Sequence, residues 1–229
     1  MFDLQGYGVL LVKGAKLTIF VGIGALLIAL LLGLIGSLFK LSKIKSLTVI
    51  AEIYTTVMRG VPELVSILLV YYGAPTLIQD IATFFGKDIY VDVNPMVAGI
   101  LTLGFIYGAF TTEVYRGAFL AVPRGQMEAA RACGMSAVLS FRRILLPQMW
   151  RFAIPGLSNV WMVLIKATAL ISVIQLPELL MNAGIAARST HKPFSCYFGA
   201  SLIYLLITIL SIGFQQWAEK KASRGIRRE

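Results

Sequence analysis

The sequence predicts an all-α integral membrane protein with five transmembrane helices, and three observations carry that prediction. Of the 229 residues, 58% are hydrophobic and only 14% are charged, with a mean hydropathy of +0.80. A soluble fold has no interior large enough for so much apolar surface. The charges cluster and leave five long apolar runs, and a span needs roughly 20 apolar residues to cross a hydrocarbon layer of about 30 Å. In lipid every backbone group needs a partner within the protein, so these runs must be helical. The length fits one such bundle as a single domain over 1–229, with no separate soluble domain.

The runs are 17–39, 60–79, 93–112, 152–177 and 193–218. The first has no charge. The second contains Glu63, the third is bounded by Asp92 and Glu113, the fourth holds only Lys166, and the fifth lies between Lys192 and Glu219. Segments 3–16 and 46–58 are too short and mixed to span and read as amphipathic helices in the two interfaces. Residues 75–95, with Asp80, Asp88 and Asp92, read as a turn-rich and partly extended outer loop. The N-terminus lacks a basic region and a small-residue cleavage site, so a retained first span does the targeting.

The net charge is +10, which in a soluble chain would point to nucleic acid. Here it follows topology, and no nucleic-acid partner is expected. Fifteen Lys and Arg fall in the connections after spans one, three and five, against five on the other side. Basic loops stay in the cytoplasm, so the C-terminus is predicted there and the N-terminus outside. That order puts Cys133 and Cys196 on opposite sides of the membrane as two free thiols.

The longest cytoplasmic connection, 115–151, is predicted to hold two short helices. One begins near Pro123 to Gln126 and ends near Gly134. The other begins at Ser136, a good N-cap, and ends before Pro147. The first is rich in small side chains, Ala129, Ala130, Ala132 and Cys133, followed by Gly134, which would let a partner approach its backbone. Glu128 sits in its early turns, where the helix dipole favours a carboxylate.

Glu128-Ala129-Ala130, three residues, Gly134, nine residues, Ile144, one residue, then Leu146-Pro147 resembles the EAA motif of bacterial ABC-importer permeases. All fixed positions are filled at the family spacing. The stretches MRGVPELVSILLVYYG (58–73), GFIYGAFTTEVYRGAFLAVPRGQMEAA (104–130) and LIKATALISVIQLPEL (164–179) extend the likeness over nearly the whole chain. They resemble the polar-amino-acid permeases, most of all those of histidine and lysine/arginine/ornithine importers, with octopine and nopaline importers as close competitors.

The resemblance implies the type I ABC importer permease fold. It implies that the loop forms a coupling helix docked on an ATPase subunit, with Glu128, Ala129, Ala130, Gly134, Ile144, Leu146 and Pro147 as the coupling residues. On that reading Asp at Gly134, or a bulky residue at Ala130, breaks transport. The implied partners are a second permease subunit (a related M-type chain, or a second copy), two ATPase subunits, a periplasmic binding protein, an amino-acid substrate and lipid. The chain would need no cofactor, since ATP and Mg would be bound by the ATPase subunits. The place would be the bacterial inner membrane.

Polar residues within or beside the spans are the candidates for a substrate path. Lys166 near mid-span must face protein or a water-filled cavity, because a charge at the bilayer centre costs at least about 2.5–3.5 kcal/mol. It reads either as a path or gate residue, or as the partner of a carboxylate or of carbonyls at a helix break. Thr168 and Ser172, one α-helical turn apart, either line a path or bond a neighbouring helix. Glu113 reads as a partner of Lys166 or of a cationic substrate, or as an interfacial pair with Arg116 three residues on. Glu63 after Pro62 and Glu178 after Pro177 mark helix breaks, which transporters use near substrate sites but which can equally be simple helix ends.

Tyr71, Tyr72, Tyr107, Tyr115, Tyr197, Tyr204, Trp150, Trp161 and Trp217 fall mostly near span ends and read as interfacial aromatic belts. The single histidine, His191, has no metal-ligand spacing around it. There is no phosphate-binding loop and no nucleophile–histidine–acid set, so no enzymatic role is expected. A secondary transporter or channel would keep the spans but has no use for the long EAA loop. A scaffold subunit that never touches substrate stays open.

Overall fold

The computed structural model describes residues 6–222. The start of the predicted 3–16 helix, and Arg224, Arg227 and Arg228 of the charge count, lie outside them. The described residues form eight helices and no strand. Five of these helices are long and apolar enough to span: Gly8–Lys40 (α1), Glu63–Phe84 (α3), Pro95–Leu120 (α4), Ala137–Ile174 (α6) and Pro193–Ala222 (α8). The shorter α2 (Lys45–Gly60), α5 (Arg124–Ala132) and α7 (Leu179–Thr190) fill the connections.

The centre of the bundle is the pair α1 and α4. Along α1 the buried positions include Gly22, Ala25, Ala29, Gly33 and Gly36, three or four residues apart. Phe20, Leu27, Leu31 and Leu38 point outward, each at least half exposed. This inversion, small inside and large outside, suits a solvent of lipid tails. There helices associate by close backbone packing, with no gain from hiding leucine. A Cβ at Gly33 would sit 3.0 Å from the Thr111 carbonyl carbon, and one at Gly104 would sit 2.7 Å from the Ile28 side chain. Thr111 and Thr112 return their hydroxyls to the carbonyls of Tyr107 and Gly108 at 2.8 and 2.9 Å, so neither is left unpaired at the contact.

Several predicted boundaries move. The interfacial segment before the first span is not a separate helix: from Gly8 it is the first part of α1, a rod of 33 residues and so about 50 Å long. Span three runs on to Leu120, which removes 115–120 from the predicted connection. The second helix of that connection does not stop before Pro147 but continues into span four. Likewise Pro75 lies inside α3 rather than opening the outer loop. Of that loop, 87–94 is irregular, with no extended pairing.

The two prolines share one physical solution. A proline ring collides with the carbonyl four residues back and lacks the N–H that would bond it. Pro75 follows a π-turn at Leu69–Gly73, closed by Ala74 N–H on the Leu69 carbonyl. Pro147 follows one at Phe141–Leu145, closed by Leu146 N–H on the Phe141 carbonyl. The wider turn moves the obstructing carbonyl aside and the helix carries on.

Span four ends earlier than predicted. After Ala167 it tightens to a 3-10 helix over Thr168–Ile174, and Gln175 turns left-handed at φ 65°. The chain then enters α7, which lies outside all five predicted runs. Helix α7 buries Leu179, Ala183, Ala186 and Ala187 and packs between α1 and α8. The Asn182 amide donates to the carbonyls of Leu10 and Pro177, both at 3.0 Å. His191 caps α7 in a left-handed conformation, φ 54°, and no metal-binding group occurs among the described residues. Cys133 is exposed and Cys196 buried, both as free thiols.

Candidate functional site

At the end of the bundle that carries most of the basic residues, α5 forms a short rod between α4 and α6. Its stop is built by backbone geometry. Met135 N–H bonds the Ala130 carbonyl at 3.0 Å and Gly134 N–H bonds that of Arg131 at 2.9 Å, a paired closure that needs a left-handed residue. Gly134 supplies it at φ +75°. A Cβ there would meet nothing within 4 Å in its own chain, so within this subunit glycine is required for its conformation.

Ala130 turns out differently. It is 5% exposed and faces its own chain, while Glu128, Ala129, Ala132 and Cys133 face outward. Beyond the turn, the Ser136 hydroxyl accepts from Leu139 N–H at 3.3 Å and starts α6 as predicted. Val138 and Phe141 stand exposed beside Arg142 and Arg143. The free surface is thus a patch of Ala129, Ala132, Cys133, Val138 and Phe141 rimmed by arginines. Ile144 is half-buried, Leu146 packs into the cluster of Tyr115, Val122 and Met149, and Pro147 is exposed.

Two residues that sequence reasoning missed join α5 to the long helix. The Gln148 amide donates both to Gln126 Oε1 and, at 3.1 Å, to the Ile144 carbonyl. The bond crosses from the first turn of α5 to α6 just past its π-turn. Only the pairing of two glutamines around one loop hinted at it.

Nearby, Glu113 lies between two cations. Lys40 Nζ is 2.5 Å from its Oε1, and Arg116 donates to its Oε2 at 2.9 Å. This resolves the sequence alternatives: Glu113 pairs with Arg116, and with Lys40 from the end of α1, but not with Lys166. Above it the Tyr54 hydroxyl donates to the Phe105 carbonyl at 2.6 Å, tying α2 to α4. Burial pushes that hydroxyl up to about 12, so it stays a neutral donor.

The remaining path candidates divide by surroundings. Lys166 is exposed on this chain, on the face of α6 that also carries Asn159 and Val163, and has no ion pair among the described residues. Glu63 is half-buried in the first turn of α3 and accepts from the Tyr107 hydroxyl at 2.8 Å. Thr168 is fully buried and bonds the Ile165 carbonyl, whereas Ser172 is half-exposed and bonds that of Ala169, both at 2.7 Å. They do not share a face. A 3-10 helix repeats every three residues, so a separation of four turns the second side chain about a third of a revolution away.

Glu178 is 1% exposed. It caps α7 by accepting from Leu180 and Met181 N–H at 2.9 and 2.8 Å, and it also accepts from Thr18 at 3.3 Å and Tyr204 at 3.1 Å. It joins three helices and is enclosed by its own chain. Several predicted belt aromatics prove internal in the same way. Tyr107 and Tyr115 are buried, Tyr204 serves Glu178, and Trp161 donates to Ser211 at 2.9 Å. Tyr72, Tyr197, Trp150 and Trp217 are exposed, as a belt requires.

Residues 25–224 match the family described as the binding-protein-dependent transport system inner membrane component. The chain belongs to that family. The permease is 43% identical to the histidine/lysine/arginine/ornithine transport system permease protein HisQ of Salmonella typhimurium, over 98% of both chains. It is 44% identical to the nopaline transport system permease protein NocQ of Agrobacterium fabrum, over 97% of this chain and 94% of that one. Among solved structures, a chain of an amino acid ABC transporter with histidines superposes at a TM-score of 0.83 and is 30% identical, covering 96% of the permease and 98% of that chain. The five-span, all-α permease fold of ABC importers is thereby established, and the secondary-transporter and channel readings give way. In this permease the patch around α5 and the face bearing Lys166 are both left open by its own packing.

Proposed function

We propose that the permease is one membrane subunit of an ATP-driven importer for basic amino acids, namely histidine, arginine, lysine and ornithine, in a bacterial inner membrane. The observation that carries this is the 43% identity with HisQ over 98% of both chains. In this reading the basic end faces the cytoplasm, following the excess of Lys and Arg there, and the N-terminus lies outside. A periplasmic binding protein delivers substrate at the far end. A second permease, M-type or a second copy, completes the route, because five helices are too few to enclose one. Two ATPase subunits bind ATP and Mg, and this chain needs no cofactor of its own.

Coupling runs through α5. The exposed Ala129, Ala132, Cys133, Val138 and Phe141 are small or apolar and suit a groove on an ATPase. The arginine rim adds charge complementarity to an acidic partner surface. Motion received there passes through Gln126 and Gln148 into α6, which carries Lys166 on its exposed side. Lys166 and the half-exposed Glu63 and Ser172 are then the residues of this chain best placed on a path. Glu113 and Glu178 hold helices together, and Thr168 is buried and bonded within α6.

The test is uptake by the reconstituted complex with its cognate binding protein, across histidine, arginine, lysine, ornithine, octopine and nopaline. Competition by the basic amino acids supports the reading. Uptake confined to opines would instead favour an opine importer, the second reading, which the 44% identity with NocQ makes specific. Uptake independent of ATP would refute both.

A further inference from the structure

On the side of the bundle away from Lys166, helices α1, α6 and α8 part to leave an apolar groove of about 570 Å³. Helices α1 and α8 meet through Leu11 and Ala200 at one end. Toward the basic end they separate, and α6 forms the floor. Trp161 closes the groove's inner end: its indole bonds Ser211 on α8 and lies against Gly22 on α1. On each of the three helices the walls run over eleven residue steps, from Ile19 to Leu30, from Trp150 to Trp161 and from Ile207 to Ala218. At 1.5 Å per residue that is about 16 Å, half of a hydrocarbon core of about 30 Å. The groove is therefore one leaflet deep.

Its mouth opens where exposed Trp150 and Trp217 mark headgroup level. Cations gather there. Arg151 follows Trp150 and uses its Nε to hold the Ala222 carbonyl at 3.1 Å, and its outer nitrogens have no ion-pair partner among the described residues. Lys221 lies over the Trp217 ring at 5.1 Å, and Lys220 is exposed. The one acid in this stretch, Glu219, is engaged by Gln215 at 2.9 Å. An apolar slot of leaflet depth that ends in a basic cluster fits an amphiphile with a negative head, and basic pockets between helices bind anionic headgroups.

We propose that this groove is a specific site for an anionic phospholipid, with an acyl chain along α6 between α1 and α8 and its phosphate at Arg151 and Lys221. The lipid serves as a spacer that fixes the distance of α8 from α1 where their own side chains do not meet.

The purified complex, in mixed phosphatidylglycerol and phosphatidylcholine nanodiscs, tests this with trace amounts of either lipid carrying a photoreactive acyl chain. The expected result is labelling of the 150–161 and 207–218 peptides at least tenfold stronger from the glycerol lipid. Ser158→Phe should abolish it by filling the slot. The pair Arg151→Gln and Lys221→Gln should bring the two lipids level, and Arg151→Lys with Lys221→Arg should restore the preference. The ratio is internal to each sample, so loss of folded material does not mimic it. Equal labelling by the two lipids in the native complex, which means ordinary boundary lipid, overturns the proposal. So does crosslinking of the groove walls to another subunit with no lipid labelling.

Discussion

Lys40 and Glu113, 73 residues apart, meet at 2.5 Å and pin the last turn of α1 to α4 beside the connection that carries α5. Both are only partly exposed, at 12% and 21% of their side chains, and Arg116 makes Glu113 the centre of a three-residue network. Removing Glu113 leaves two cations facing each other. Glu113→Gln is expected to destabilise the complex by about 1–3 kcal/mol, the range for a hydrogen bond to a charged group lost in a partly buried site. A thermal double-mutant cycle with Lys40→Met should return a coupling energy of about 1 kcal/mol or more. Additive effects would show that the pair contributes nothing.

The stop after α5 predicts an order of substitutions. Placing an L-residue in the left-handed region costs about 1–2 kcal/mol, less for asparagine. Gly134→Asn should therefore retain more ATP-driven uptake than Gly134→Ala, although asparagine is the larger. If alanine is tolerated better, the position is selected for smallness after all, and the backbone explanation fails.

Gln148 and Gln126 should act as a mechanical link. Gln148→Leu keeps the bulk but removes the amide, and Gln126→Leu does the same from the other side. Each variant complex should assemble and bind its ATPase normally while uptake per ATP hydrolysed falls several-fold. The double variant should be no worse than either single one, since both remove the same bond. Unchanged coupling ratios in reconstituted vesicles would exclude the link.

The α1–α4 contact predicts a sharp inside–outside contrast. Gly33→Val presses on the Thr111 backbone, which cannot step aside, and should lower folded yield severely, in the range of about 1–3 kcal/mol or more for overpacking. Leu31→Ala, two residues away but facing outward, should change stability by less than about 0.5 kcal/mol. Comparable yields for both, by fluorescence size-exclusion chromatography, would mean that the contact is looser than described.

Lys166 has no partner within its own chain among the described residues, so Lys166→Met should leave this subunit's thermal stability intact or raise it. A change in uptake KM or in assembly with the second permease is the expected signature. If uptake and assembly both match the native complex, the exposed face of α6 is not part of the route.

The number of spans, their approximate places and the start of α6 at Ser136 were legible from the sequence alone, because each rests on local chemistry. A run of about 20 uncharged residues has few options in lipid, and a serine before a helix caps it wherever it stands. The spacing of Glu128 to Pro147 likewise marked the connecting loop without reference to any neighbour. Other features depended on residues distant in the chain. Pro75 and Pro147 looked like helix ends, yet widened turns carried both helices through. Helix α7 fell outside the predicted runs, because its small buried residues make sense only against α1 and α8. Glu178 could be read as a route residue or a simple helix end, and its bonds from Thr18 and Tyr204, 160 and 26 residues away, were visible only in the fold. Ala130 and Gly134 belonged to one motif in sequence, but folding turned the first inward and used the second for its backbone. Sequence determines what each segment must do to enter a membrane, since that is an exchange between a segment and lipid. Which polar group is left over for function is decided only when helices far apart in the chain close on one another and satisfy the rest.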